Sequence, residues 1–228
     1  MKHNMQHVPI FAFDFSMNKP AMACLIDNEL SFYAWPLNID KVSQERLDSC
    51  NVNITNRKLE PIHEKSFDES ELIIEHVTRA TDLAKLIVKT ITKILKSYNY
   101  NNIDDIIIAN EGFAFAAKGD AALDLSGYKY ILMKELIDAG FKIFKTYSPI
   151  TIKSTAGCAK KGMGKDAMIT ALGKEDNNLH LFIHTIWGHN EILRKKTSYV
   201  MCVDDLTDAY WCLKTVVKKE NIDCVLNV

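Results

Sequence analysis

IFAFDFSMNKPAMACLIDNELSFYAW, residues 10–35, decides the fold. Three β-prone runs, residues 10–16, 21–26 and 30–35, are separated by Met17-Asn18-Lys19-Pro20 and Asp27-Asn28-Glu29, both made of turn-forming residues. Connections this short join antiparallel neighbours, so the stretch predicts a three-strand meander. Within the first run Asp14 stands between Phe13 and Phe15. An uncompensated charge there is expensive, so Asp14 asks for a partner elsewhere in the chain.

Beyond the meander, residues 36–67 are polar and irregular and read as an insertion or long loop. Asp68 with Glu71 three residues on has the form of a capping box. Ile73, Val77, Ala80, Ala84, Ile87, Ile91 and Ile94 then follow at alternating four and three spacing, the mark of a long amphipathic helix. Residues 105–110, DIIIAN, suit a buried parallel strand that ends at Glu111. Residues 130–139 read as a helix stopped by Gly140, and residues 141–147 as the next strand. After a Gly- and Lys-rich loop over 148–164, residues 165–172 look like a helix start. Leu206, Ala209, Tyr210, Leu213, Val216 and Val217 mark one face of a last helix over about 204–219. Strands first and alternating strands and helices afterwards predict an α/β fold, a mixed central sheet flanked by helices. With 228 residues, 47% of them hydrophobic, residues 1–228 read as a single domain.

No apolar run approaches the length of a membrane span, and the N-terminus lacks the basic-then-apolar order of a signal peptide. The expected location is cytoplasmic or nucleoid-associated, or the host-cell cytoplasm for a viral protein. Six cysteines (Cys24, Cys50, Cys158, Cys202, Cys212, Cys224) include no CxxC pair, which argues for reduced thiols over a disulfide framework or zinc ribbon. A net charge of -1 is unpromising for phosphate binding until its distribution is read. Basic residues gather late in the chain, at Lys153, Lys160, Lys161 and Lys165, at Arg194-Lys195-Lys196, and at Lys214, Lys218 and Lys219, while acidic residues crowd the stretch 60–75.

Four carboxylates stand where this layout brings them together. Asp14 lies in the first strand and Glu111 ends the strand expected beside it. Asp205 and Asp208, three apart, share one face of the last helix. Each alone has an ordinary reading: a strand Asp satisfied by backbone, a surface Glu, two acids at a helix N-terminus. Together they repel one another unless a cation neutralises them. Hard oxygen ligands suit Mg²⁺, with Mn²⁺ able to substitute, and two such ions about 4 Å apart clamp the attacking and leaving oxygens of a phosphodiester.

The order FDFSMNKPAMACL (13–25), IIIANEGFAFAAKG (106–119), TIKSTAGCAKKGMGKDAMITAL (151–172) and VDDLTDAYW (203–211) resembles the RuvC-type Holliday-junction resolvases of the ribonuclease H-like superfamily, above all their divergent phage-like members. The likeness touches nearly the whole chain except about residues 36–70. It implies a ribonuclease H-like fold, with Asp14, Glu111, Asp205 and Asp208 as metal ligands. Asp205-Leu206-Thr207-Asp208-Ala209 matches the family's D-x-x-D-A pattern, and Asp204 is a rival to Asp205. The family commonly has Gly or Pro soon after the first Asp, where this chain has Phe15-Ser16-Met17-Asn18. Some members carry an aromatic wedge three residues after the strand Glu. Ala114 stands there instead, between Phe113 and Phe115.

Lys153, Lys160, Lys161 and Lys165, spaced by Gly157, Gly162 and Gly164, look like the family's Lys- and Gly-rich segment and imply DNA contact. Lys165 resembles the lysine placed near the scissile phosphate, where it would stabilise developing negative charge. A Walker-type phosphate loop is excluded, because the pattern ending at Gly164-Lys165 has Ala159 in its first position and Asp166 in its last. His180, His184 and His189 do not make a zinc motif, since no Glu follows His180 and no cysteine pair is near.

These readings imply a Mg²⁺-dependent endonuclease, with two ions per site, that resolves branched DNA by water attack leaving a 5′-phosphate. The family works as a homodimer, and the helix over 68–95 is a candidate for the dimer surface. Rival readings are a nuclease of the same fold acting on RNA:DNA hybrids or other DNA, and a junction-binding protein without chemistry. The second suits a buried acid cluster poorly, because a binder of phosphates has no use for it. An actin-like phosphotransferase would need a second Gly-rich loop and a longer chain.

Overall fold

The computed structural model describes residues 8–39, 41, 45, 52–59, 68–112, 120–160, 162–175 and 202–222. Strands β1 (Ile10–Asp14), β2 (Ala21–Ile26) and β3 (Glu29–Ala34) form the expected antiparallel meander. Asp27 and Asn28, at φ 50° and 65°, make the β2–β3 turn. Two consecutive left-handed residues suit the twist of a tight hairpin, and Asp and Asn tolerate that region best after glycine. With β4 (Val52–Ile54), β5 (Ile107–Glu111) and β6 (Ile143–Tyr147) the sheet has six strands in the order β4-β3-β2-β1-β5-β6. β5 runs parallel to β1 and β6 parallel to β5, so the sheet is mixed.

Alternation along the two central strands sorts the chain into two layers. Ile10, Ala12, Ile107 and Ala109 face one side, and Phe11, Phe13 and Ile108 face the other. The large side chains meet α1 (Glu69–Ser97), whose Leu83, Ala84, Ile87, Ile91, Ile94 and Leu95 are buried, and α2 (Asp120–Asp138) packs on α1. The opposite face carries Ala12, Ala21, Ala23, Ala34 and Ala109, together with Ala209 of α5 (Val203–Lys219). Small residues let α5 lie close to β1, β2 and β5. α3 (Pro149–Thr155) and α4 (Lys165–Leu172) pack on α5.

The capping box at Asp68 and Glu71 forms as expected, and Gly140, at φ 99°, ends α2. Other expectations need correction. The insertion over 36–67 is not wholly irregular: Val52–Ile54 joins β3 in parallel and Leu37 bridges Arg57. Arg57 pins this strap by donating to the carbonyls of Trp35, at 2.8 Å, and Met17. A three-residue strand paired at a distance has no local periodicity to read. α2 starts at Asp120, ten residues before the expected start at 130; Ser126 and Gly127 look like breakers but cost a helix interior only about 1 kcal/mol. The segment 148–164 contains α3, started by Ser148 as N-cap and Pro149 at the first helical position. The apolar stripe of α1 is buried only from Ala80 onward, leaving Ile73, Ile74 and Val77 exposed.

Among the described residues, no helix is long and apolar enough to cross a membrane. Cys24, Cys158, Cys202 and Cys212 are buried free thiols. The expectations for Phe113, Ala114, Phe115, Lys161, His180, His184, His189 and Arg194-Lys195-Lys196 fall outside the described residues.

Candidate metal centre

Three elements converge on one end of the α5 face. Asp14 is the last residue of β1 and continues the Ile10–Ala12 row, and Glu111 is the last of β5 and continues the Ile107–Ala109 row. Phe13 pairs with Asn110 in parallel register, so the next residues along, Asp14 and Glu111, end side by side. Asp205 and Asp208 lie in the first two turns of α5, which crosses both strands. The sheet register and the helix spacing therefore bring together the four acids that the sequence singled out.

The electrostatics are those of crowded, poorly hydrated carboxylates. Asp14 is held well above the ordinary carboxylate range, first by burial and then by Asp208, Asp205 and Glu111. Burial also raises Glu111, with Asp208 adding to it, while Lys129, Lys165 and Lys153 oppose the rise. Asp205, only 9% exposed, is pushed up to about 7 by burial and by Asp204 beside it. Asp208 is raised by burial against the pull of Lys165.

Asp204 belongs to the same cluster. Its Oδ1 and the Oδ2 of Asp205 are buried without a hydrogen-bond partner. Two adjacent carboxylates can satisfy such oxygens by sharing a proton or by binding a cation. Lys165, the first residue of α4, reaches into the group, its Nζ 3.4 Å from Asp204 Oδ2 and 3.2 Å from Asp208 Oδ2. Burial opposes its charge, but Asp208, Asp204, Asp14 and Asp205 outweigh that and raise its pKa. The indole of Trp211 on α5 donates to the carbonyl of Met168 at 3.1 Å, locking α4 against α5 and so fixing where Lys165 can reach.

Among the described residues, no three acidic, histidine or cysteine side chains converge closely enough to ligate one ion as they stand. The donor set nevertheless fits a hard divalent ion: carboxylate oxygens only, in a cluster where burial foremost and neighbouring carboxylates in addition raise the pKa values of Asp14, Glu111, Asp205 and Asp208, and where one oxygen each of Asp204 and Asp205 is buried and unpartnered. Asp14, Glu111, Asp205 and Asp208 would hold the ion or ions, with Asp204 in reserve at the edge.

The expected DNA-contacting lysines separate. Lys153, in the last turn of α3, is near enough to act on both Glu111 and Asp208, whereas Lys160 is exposed in the turn beyond α3. Lys214, one of the late basic residues, pairs with Glu175 at 2.7 Å and lies over the Tyr210 ring. Sequence reasoning missed Lys129, which is 5% exposed and donates from Nζ to the Glu111 carbonyl at 3.0 Å. Its signal was legible: Lys129, Leu132 and Leu136 share one helical stripe, and a lysine on a core stripe needs an anion or a carbonyl. Lys19, in the β1–β2 turn, was missed as well; its charge offsets the rise at Asp205. Gly112 follows Glu111 and donates to the Tyr147 carbonyl at 2.7 Å. A Cβ there would meet Thr146 Cγ2 at 3.0 Å and the Tyr147 carbonyl oxygen at 3.3 Å, so any larger residue would require β5 and β6 to give way here.

No family model matches the sequence, and no curated protein matches it. Among solved structures, the chain is similar to "T. thermophilus RuvC in complex with Holliday junction substrate", with 10% identity, 93% of this chain and 96% of that chain covered, and a TM-score of 0.45. It is likewise similar to "Thermus thermophilus RuvC structure", with 10% identity, 94% and 97% covered, and a TM-score of 0.46.

Proposed function

We propose that this chain is a Mg²⁺-dependent endonuclease of the ribonuclease H-like superfamily, a RuvC-type enzyme that cuts branched DNA. The observation that carries the reading is the gathering of Asp14, Glu111, Asp205 and Asp208 from two strand ends and one helix, with a buried oxygen of Asp205 left unpartnered. Burying such a set is costly, and a divalent cation removes the cost. The four-way-junction substrate rests on the likeness of the four sequence segments quoted above, because substrate choice lies in loops and dimer geometry outside the acid cluster.

Asp14, Glu111, Asp205 and Asp208 would hold divalent ions, which would supply an activated water and stabilise charge on the attacking and leaving oxygens of the phosphodiester. The chain's own residues do the rest. The ends of β1 and β5 hold Asp14 and Glu111 in fixed register, and α5 presents Asp205 and Asp208 from above. Lys165 and Lys153 supply positive charge at the rim of an otherwise acidic site, where a phosphate must approach. Symmetric cutting of a junction requires two such sites related by a two-fold axis, and the exposed Ile73, Ile74 and Val77 at the start of α1 are the apolar patch we assign to the dimer contact.

The test is cleavage of a labelled synthetic four-way junction in Mg²⁺ beside a linear duplex of matching sequence, for the wild type, Asp14→Asn and Asp208→Asn. Paired symmetric nicks in the junction alone, absent in both variants while junction binding persists, support the reading. Equal cutting of the linear duplex moves the function to a less selective nuclease, and binding without cutting in Mg²⁺ or Mn²⁺ moves it to a junction-binding protein.

A further inference from the structure

We propose that Lys165 is a resident counter-cation of the acid cluster, which a divalent ion must displace from Asp204 and Asp208 before the site can work. The inference rests on reading the cluster as a metal centre and adds how that centre is kept without metal. Lys165 Nζ bridges Asp208 Oδ2 at 3.2 Å and Asp204 Oδ2 at 3.4 Å, so the ammonium occupies an oxygen of Asp208, one of the four acids that would hold the ion. Its side chain is 57% exposed, whereas those of Asp204 and Asp208 are each 16% exposed. The lysine thus enters from solvent on a flexible stem and can leave the same way, while the acids are held on short stems by α5. Asp204, outside the D-x-x-D pair, gains a role: it is the second arm that holds the ammonium in place. Once displaced, the ammonium lies at the mouth of the site, on the path of an arriving phosphate.

An ammonium that competes with the metal must weaken metal binding, the opposite of what a supporting residue does. The experiment is isothermal titration of metal-free protein with Mn²⁺ and with Mg²⁺, for the wild type, Lys165→Met, Lys165→Gln and Lys165→Arg, with thermal melting in EDTA and in saturating metal. Two partly exposed ion pairs near a bound cation are expected to make Lys165→Met and Lys165→Gln bind metal more tightly by on the order of tenfold, with Lys165→Arg close to wild type. In EDTA the two neutral variants are expected to melt below wild type, and their gain on adding metal to exceed it. Metal binding by wild type with equal or weaker binding by Lys165→Met and Lys165→Gln overturns the counter-cation role and leaves the metal centre standing. No metal binding by wild type overturns both.

Discussion

Replacing Asp205 by Asn is expected to stabilise the metal-free protein and to abolish its chemistry. Asp205 is 9% exposed, has an unpartnered buried oxygen, and its pKa is raised from 3.8 to about 7, first by burial and then by Asp204. A carboxyl whose folded pKa is raised binds its proton more tightly in the folded than in the unfolded chain. Stability is therefore greatest below the unfolded value and falls as pH rises from about 4 to about 7, then stays flat. At about 1.4 kcal/mol per unit, the three-unit rise amounts to about 4 kcal/mol once the group is ionised. Asn keeps the shape without the charge but loses a favourable interaction with the N-terminus of α5, about 0.3–1 kcal/mol, and leaves an amide oxygen buried without a partner, about 1 kcal/mol more. A net gain of about 2–3 kcal/mol remains, which for a chain of this size is roughly 4–12 °C in Tm. The assay is thermal melting in EDTA from about pH 4 to pH 8, where the variant's advantage should grow from nothing to its plateau. Adding Mg²⁺ should raise the wild type and barely move the variant. A variant no more stable than wild type near pH 8, or one whose advantage does not depend on pH, would refute the claim that repulsion and burial of these carboxylates strain the fold.

Asp14→Asn and Asp208→Asn should each lower junction cleavage by at least about 100-fold in single-turnover assays, while binding measured by gel shift in Ca²⁺ changes less than threefold or so. Gly112→Ala should push the Glu111 end of β5 away from Thr146 and weaken Mn²⁺ binding in calorimetry; adding Thr146→Ser removes the methyl that a Cβ would meet at 3.0 Å and should recover part of the loss. Arg57→Met strands the carbonyls of Trp35 and Met17 and should cost about 1–3 kcal/mol in urea unfolding without altering metal affinity. Ala12→Leu overfills the layer under α5 and should cost about 1–3 kcal/mol and weaken metal binding together, since α5 carries Asp205 and Asp208.

What could be read in the chain, and what could not, divides along the range of the interactions. The meander was legible because its turns are local: Asp27-Asn28 selects a tight hairpin whatever the rest of the chain does. The start of α1 was legible for the same reason, through two hydrogen bonds spanning three residues. β4 was not, because Val52-Asn53-Ile54 becomes a strand only by pairing with β3 some twenty residues away, and the anchor for that pairing is the side chain of Arg57. The early start of α2 and the short α3 fall between these cases, since helix geometry there overrides residues that look like breakers or loop.

The acid cluster was legible in a different sense. No single carboxylate announces a metal, and the four are spread over almost two hundred residues of chain. They could be linked because a charge inside a β-strand, a charge at the end of a parallel strand and two charges on one helix face are each awkward for folding alone. The same awkwardness resolves if all are shared. The structure adds that the sharing is incomplete without help: the carboxylates keep raised pKa values and orphaned oxygens even with Lys165 among them and Lys129 beneath Glu111. Lys165 was placed at the site only through the family likeness, and Lys129 was legible only as a lysine on a core stripe with no stated acceptor, for a physical reason. A lysine's charge sits at the end of a long flexible stem, so its position along the chain says little about where the ammonium lies, whereas Asp and Glu carry their charge close to the backbone that the sheet register fixes. Acidic sites are therefore read more readily from strand and helix patterns than the basic groups that answer them, and it is in the second set that new function in this chain is to be sought.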